Sequence, residues 1–498
     1  MSANRFDRRR FLDTAAAAAA VSLVPRGALG GQSEPAPSER LNIGYVGCGS
    51  QGLRQLIDAL GKPEVNILAV CDPNRRSDDY PQWGRDELNN KVRRFLDDAN
   101  WAAGARGALC GREVAQEIVN RQYARQGRPA DCRAYADFRE MLEREKDLDA
   151  VYIMTPDHLH GTIAVRAMRL GKHVITHKPL ANVLAEARLA RDTAREARVA
   201  THLFCASDSP AGVTLREWLD SDAIGPVREV HNWTNRPFWP QGMTEYPSDK
   251  PPVPDGFDWD LWLGPAPQRD YHPAFTHAVF RGWFDFGSGA LGDMGHYSFR
   301  QIFTALELGP PRTVEASRSQ YWSIRDYQWH KEVNHVSFPR ASLVRWEFPA
   351  RGSRPPVTLY WYDGGLRPSL PPELEADGRP MPEEGMLLVG DRGKLLAGFT
   401  GGQPRLIPES RMRAFEPPAP SLPRPDRELD QFLRACRGGP PSGADFERVY
   451  PMAETILLGN VAVRVAGKLR WDTEKMEFPD APEANRLLRR EYRQGWEL

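Results

Sequence analysis

The run Leu41-Asn-Ile-Gly-Tyr-Val-Gly47-Cys-Gly49-Ser-Gln-Gly52-Leu-Arg-Gln-Leu-Ile constrains this chain more than any other segment. An apolar stretch of strand character leads into a glycine turn, and helical spacing of apolar side chains follows. Gly-x-Gly-x-x-Gly placed between a strand and a helix has a mechanical explanation. Gly47 permits a tight turn, Gly49 lets backbone approach a pyrophosphate, and Gly52 lets the helix pack closely on the strand. The amides that open the helix, at Ser50 and Gln51, are left to bind an anion. A second predicted strand, Val65–Cys71, ends at Asp72, about twenty residues further on, where a carboxylate accepts both hydroxyls of an adenosine ribose. Asp72 would repel a ribose phosphate, so NAD is expected over NADP. Arg75 and Arg76 keep NADP open, and Arg76 joins the expected cofactor contacts.

A chain of 498 residues exceeds one ordinary core. The expected organisation is a Rossmann dinucleotide-binding domain over 40–208 with a charged insertion at 77–130, then a second domain over 209–425. C-terminal helices and a tail over 426–498 are expected to pack back on the first domain. Lys plus Arg and Asp plus Glu each number 66, so no net field would hold nucleic acid or an acidic membrane. No segment beyond the first thirty residues could span a bilayer. At the N-terminus, Arg8-Arg9-Arg10-Phe11-Leu12, a mild alanine-rich run and small residues near Gly30 follow the order of a cleavable export signal. The paired arginines resemble a twin-arginine signal, which assigns residues 1–35 to targeting and the mature chain to the periplasm or beyond. Six cysteines are scattered without the close pairs a zinc site needs, so no metal is expected.

The insertion offers no readable chemistry, with a helix expected over 111–122. Strand and helix then alternate: strand 131–136, Asp137 as cap of a helix over 138–144, and a buried strand over 150–154. Thr155-Pro156-Asp157-His158-Leu159-His160 follows that strand. After another helix, the strand 173–176 meets His177-Lys178-Pro179, with a helix over 181–195 beyond. Both motifs fall past the carboxyl ends of strands, where ligands bind in open α/β sheets.

At these residues the chain resembles the glucose-fructose oxidoreductase, inositol dehydrogenase and rhizopine catabolism family, Gfo/Idh/MocA. The resemblance rests on the glycine fingerprint, Thr155-Pro156 with His160, Gly171-Lys-His-Val, Lys178-Pro179, and Gly289-Ala-Leu-Gly-Asp293-Met-Gly295. It implies that Thr155, Pro156, His160 and Lys178 contact the cofactor, and that Lys178 also meets the reacting hydroxyl, with Pro179 in the cis form. The family has glutamate where this chain has His177, so the usual partner of that lysine is missing. Beyond this point a helix is expected over 210–226, then strands at 227–234, 313–320, 335–337, 342–348, 357–362 and 386–389, and helices at 427–437 and 450–466. The fold class is α/β plus α+β: a Rossmann domain followed by a mostly antiparallel open-sheet α/β domain.

The aromatic stretch 259–287, including Arg281-Gly-Trp-Phe, is read as pocket wall or as domain packing. Asp293 should sit on a helix that places 293, 296 and 297 on one face. In family members the acid-base group stands four residues after this aspartate as histidine, or as tyrosine in the glucose-fructose branch. Tyr297 holds that position here, while His296 is the better base at neutral pH. The resemblance implies hydride transfer between a nicotinamide and a hydroxyl or ketone of a sugar, cyclitol or glycoside, in a homo-oligomer. An NAD-dependent glycosidase acting by oxidation and elimination, and a dinucleotide-bound sensor with a degenerate site, are the alternatives.

Overall fold

A computed structural model describes residues 39–465 and 467–498; the expected signal at 1–35 lies outside them. The first domain contains a six-stranded sheet ordered β5-β2-β1-β6-β7-β8, where β1 is Leu41–Val46, β2 Val65–Cys71, β5 Arg133–Tyr135, β6 Ala150–Ile153, β7 His173–His177 and β8 Thr201–Phe204. Its ladders are all parallel. Parallel strands need crossovers, and the helices that supply them bury both faces of the sheet. Tyr45, Val70, Tyr152 and Ile175 pack on one side, and Val46, Val151, Ile153 and Val174 on the other. The crevice outside the carboxyl ends of β1 and β6 is where such a sheet leaves room for a ligand.

The insertion is folded. The short strands β3 (Ser77–Tyr80) and β4 (Ala108–Cys110) pair antiparallel, and helices Glu87–Leu96 and Arg112–Arg125 bury Leu88, Val92, Val114 and Ile118 beside the sheet. The second domain is an eight-stranded sheet, order β17-β16-β15-β9-β14-β13-β10-β18. Its strands are β9 Val227–Trp233, β10 Thr313–Arg318, β13 Ser342–Phe348, β14 Val357–Tyr362, β15 Gly385–Gly390, β16 Gly393–Ala397, β17 Arg405–Ile407 and β18 Lys468–Arg470. Neighbours run antiparallel except β9 and β14, so the sheet is mixed. One face is covered by a long helix Gly289–Leu306 and by Phe446–Ala462. Phe299 meets Trp346 and Trp361 edge-on at 5.5 and 5.7 Å, and a Cβ at Gly459 would lie 2.5 Å from Trp346.

Several boundaries differ from the sequence expectation for local reasons. The helix expected over 181–195 runs Leu184–Ala197, because Val183 stays extended ahead of it. The helix placed at 210–226 stops at Asp220, before Gly225, whose φ of 75° breaks the helical path. The segment 335–337 is no strand; Ser337 makes one isolated bridge to Trp283. The last long helix starts at Phe446, ahead of the expected 450, because the Asp445 side chain accepts the Arg448 N–H and caps it. Strands β16, β17 and β18 were not expected, nor was the hairpin of β11 (Tyr321–Arg325) and β12 (Gln328–Glu332). Among the described residues no helix is long and apolar enough to cross a membrane.

The C-terminal tail locks onto the first domain. Ala185 N–H donates to the Leu488 carbonyl at 2.9 Å, Arg139 lies 4.2 Å over the Trp496 ring, and Arg490 pairs with Glu186 at 2.7 Å, with Glu186 buried. Removing one partner of such a pair leaves an uncompensated charge. Arg490→Ala should therefore lower unfolding free energy by about 3–5 kcal/mol, read by urea denaturation; a loss within error would show that the tail adds no stability.

Candidate active site

The glycine loop after β1 is shaped by backbone contacts. Gly47 has φ +100°, and a Cβ there would lie 2.4 Å from the Met154 carbonyl carbon; at Gly52 it would lie 2.1 Å from the Gly47 oxygen. Helix α1 (Ser50–Leu60) begins from Gly49 with no side-chain cap and no acidic residue in its first turn, so its leading amides face the adjoining groove unanswered. Asp72 closes one end. Its Oδ2 accepts the Cys48 N–H at 2.6 Å and its Oδ1 the Asn74 N–H at 2.8 Å, which leaves a further lone pair on each oxygen for ribose hydroxyls. Burial pushes the Asp72 carboxyl up, and these two amides pull it back. At the other end Thr155, beside Pro156, lines the groove with a buried Oγ1 that has no partner among the described residues. Glycines a Cβ would fill, open helix amides and an orphaned hydroxyl together fit a dinucleotide.

The opposite wall comes from the second domain. Residues 276–281 face the glycine loop, and His277 stacks on Tyr80 of β3 with ring centroids 3.6 Å apart. Arg75 N–H donates to the Gly256 carbonyl at 2.8 Å and Asp258 N–H to the Pro73 carbonyl at 3.1 Å, so residues 256–258 strap the loop after β2.

Beside this groove opens a cavity of about 590 Å³ whose wall includes Ser50, Gln51, Lys178, Arg281, Asp293 and Tyr297. Lys178 follows β7, and the Lys178–Pro179 bond is cis. Asp293 and Tyr297 are one turn apart on helix α2 (Gly289–Leu306). Lys178 Nζ donates to Asp293 Oδ1, which also receives Arg281 Nε at 3.0 Å. Burial would raise the Asp293 carboxyl, but Lys178 and Arg281 together hold it far below the usual carboxylate range. Lys178 Nζ lies 5.1 Å from the centre of the Tyr297 ring. Tyr297 is pushed well above the usual phenol value, first by burial and then by the neighbouring Cys205. Cys205 Sγ lies 3.6 Å from His177 Nε2, and His177 Nδ1 lies 3.3 Å from the Lys178 carbonyl. A carbonyl only accepts, so Nδ1 carries the proton and Nε2 accepts from the thiol. Burial and then Lys178 hold His177 neutral. The residue that stands in place of the family glutamate thus turns its ring to Cys205 and away from the Lys178 ammonium.

Three expected residues lie elsewhere. Arg76 turns to Glu117 at 3.3 Å and does not line the groove. His160 sits behind the loops, its ring nitrogens 2.7 Å from the Pro179 carbonyl and 2.8 Å from the Thr155 carbonyl; it braces Thr155 and Lys178 without reaching the groove. His296 points away from Asp293 and Tyr297. It is fully buried against the Gly292 carbonyl at 2.9 Å, and burial lowers its pKa to about 3. The three residues do not share one face because 296 lies about 100° round the helix from 297. Sequence reading passed over Asp157, buried with one carboxylate oxygen unpartnered, and gave no role to Cys205. It also found no chemistry in the insertion, yet Tyr80 walls the groove and Gln82 and Trp83 wall the cavity. Their positions depend on a tertiary fold of the insertion that carries no motif. Among the described residues no group of His, Cys, Asp or Glu is placed to hold a metal.

Comparison with known proteins bears on the two domains. Residues 109–204 match the family model described as oxidoreductase family, NAD-binding Rossmann fold, and residues 226–318 and 373–498 match oxidoreductase family, C-terminal alpha/beta domain. A dTDP-3,4-didehydro-2,6-dideoxy-alpha-D-glucose 3-reductase of Actinomadura kijaniata is 34% identical over 217 residues, 43% of this chain and 52% of that protein. A glycosyl hydrolase family 109 protein of Saccharopolyspora erythraea is 28% identical over 210 residues, 39% of this chain and 38% of that one. The chain thus spans about half or less of the length of these curated relatives. The crystal structure of the WlbA dehydrogenase from Bordetella pertussis, in complex with NADH and UDP-GlcNAcA, shares the fold with a TM-score of 0.50 at 14% identity, covering 87% of this chain and 99% of that one. By its two matched domains the chain belongs to the Gfo/Idh/MocA oxidoreductase family, an NAD-binding Rossmann fold joined to the family's C-terminal α/β domain.

Proposed function

We propose that this protein transfers hydride between NAD and a carbon-bound hydroxyl or ketone of a sugar-like substrate held in the cavity beside the glycine loop. The observation that carries the reading is the buried Lys178–Asp293–Arg281 cluster on a cavity wall shared with Ser50 and Gln51. When bound, NAD supplies the hydride acceptor or donor. Gly47, Gly49, Gly52, Ser50, Gln51, Asp72, Thr155 and Pro156 are the residues that would hold it. Lys178 and Arg281 outnumber the carboxylate they share, so a positive field meets the substrate oxygen as it loses its proton. Asp293 fixes both cations and keeps Lys178 in place. In reduction Tyr297 gives its hydroxyl proton to the ketone oxygen as hydride arrives, and in oxidation the resulting tyrosinate takes it back. His296 takes no part, since its ring faces the core.

A second reading is favoured by the strap over the Asp72 end of the groove. A dinucleotide laced in by residues 256–258 and by His277 on Tyr80 would exchange slowly. It would be best used if the hydride returned within one turnover, as in glycoside cleavage by oxidation, elimination and re-reduction. The similarity to a glycosyl hydrolase family 109 protein supports that route. Export belongs to the same proposal: a chain that folds around its cofactor before crossing a membrane suits the twin-arginine pattern at Arg8-Arg9. Cell fractionation of the full chain would place it outside the cytoplasm, and a purely cytoplasmic pool would refute export.

Lys178→Ala should lower the rate of nicotinamide reduction by about 10²–10⁴-fold, and Tyr297→Phe likewise, whereas His296→Gln should stay within about tenfold of the parent. Stopped-flow absorbance at the reduced nicotinamide band reads all three; loss in His296→Gln with retention in Tyr297→Phe would reverse the assignment. Under the glycosidase route, aryl glycosides release their phenol with no net reduced nicotinamide. Stoichiometric accumulation of reduced nicotinamide would instead mark a simple dehydrogenase.

A further inference from the structure

The mouth of the cavity is built from both domains. The insertion supplies Pro81, Gln82 and Trp83, and the second domain supplies Arg236, Phe238 and Trp239. Trp83 is 71% exposed and Phe238 58% exposed, and both stand on the wall of this cavity. Their rings meet edge-to-face with centroids 6.3 Å apart, across the domain boundary. Phe238 is held in place. The Arg236 guanidinium lies 3.7 Å over one face of Phe238, and Arg236 is in turn held by Glu384 at 3.6 Å and by the Asn235 side-chain oxygen at 2.8 Å. Gln82 Oε1 accepts the Leu88 N–H at 2.9 Å, which leaves its amide N–H groups as free donors at the rim.

Exposed aromatic faces interleaved with guanidinium and amide donors match the two surfaces of a pyranose, an apolar C–H face and an edge of hydroxyls. The pair stands at the mouth, apart from Lys178 and Asp293, which are buried. We propose that Trp83 and Phe238 form a binding platform for a second carbohydrate ring, so that the substrate is a glycoside or oligosaccharide of at least two rings, the reacting ring at Lys178 and its neighbour at the rim. This deepens the reading of the site as one that acts on a sugar. It also gives the insertion a role: it carries half of the platform.

The test is a titration of the NAD-loaded full chain with a series of hexoses and their homodisaccharides, followed by saturation-transfer NMR, in the parent, Trp83→Ala and Phe238→Ala proteins. At least one disaccharide should bind about tenfold more tightly than its own monosaccharide, a difference of about 1.4 kcal/mol, and each substitution should bring that ratio close to one. The proposal is overturned if no disaccharide outbinds its monosaccharide, if the ratio survives both substitutions, or if Trp83→Ala releases NAD instead. The nicotinamide band, followed in the same samples, separates this from the underlying reading. Reduction by a monosaccharide with no disaccharide preference sinks the platform alone, whereas a disaccharide preference lost in both variants with no redox change supports the platform and counts against hydride transfer.

Discussion

The Lys178–Asp293 ion pair joins the two domains at the point where chemistry would occur. Lys178 stands at the end of a Rossmann strand and Asp293 on the long helix that covers the second sheet, so the contact fixes the cavity only when both domains are folded and docked. Two buried charges are costly to remove from water, and the pair persists because Arg281 adds a second cation to the same carboxylate oxygen. Arg281 lies on the wall of both the dinucleotide groove and the cavity. One carboxylate therefore orders the lysine and the arginine and joins the cofactor side of the site to the substrate side.

The insertion and the 254–281 segment change the cofactor half of the site. In an open Rossmann domain the crevice beyond the strands is accessible from solvent. Here β3 brings Tyr80 beneath His277, and main-chain hydrogen bonds tie 256–258 to 73–75. Enclosure of this kind removes water from a site where charge moves, which strengthens the electrostatic interactions inside it.

Much of this was legible in the sequence where local pattern decides structure. The glycine fingerprint, the apolar strands of the parallel sheet and Asp72 at the end of β2 fall where their spacing predicts. Tyr297 faces the cavity because it is one helical turn from Asp293, a relation that sequence supplies directly. His296 was attractive because of its residue type, and geometry removes it, since its direction round the helix sends it into the core. His160 and Arg76 belong to the same class: the right residue near the right loop, with a side chain committed to other partners. The Cys205–His177 contact was illegible because the two stand 28 residues apart and meet only where β7 and β8 lie side by side in the folded sheet. Trp83 and Phe238 were hidden because only the docking of the insertion on the second domain brings them together.

The most direct measurement of the central claim is isotope transfer. The purified protein, with its dinucleotide in place, is incubated with sugars deuterated at each carbinol carbon in turn, then denatured, and the released nucleotide is analysed by mass spectrometry. Hydride transfer at this site predicts, with at least one labelled position, a reduced dinucleotide one mass unit heavier than that formed from the unlabelled sugar, and no such label in Lys178→Ala. A protein that releases no dinucleotide, or one whose dinucleotide stays unlabelled with every sugar it binds even when quenched within the first turnover, would contradict the account.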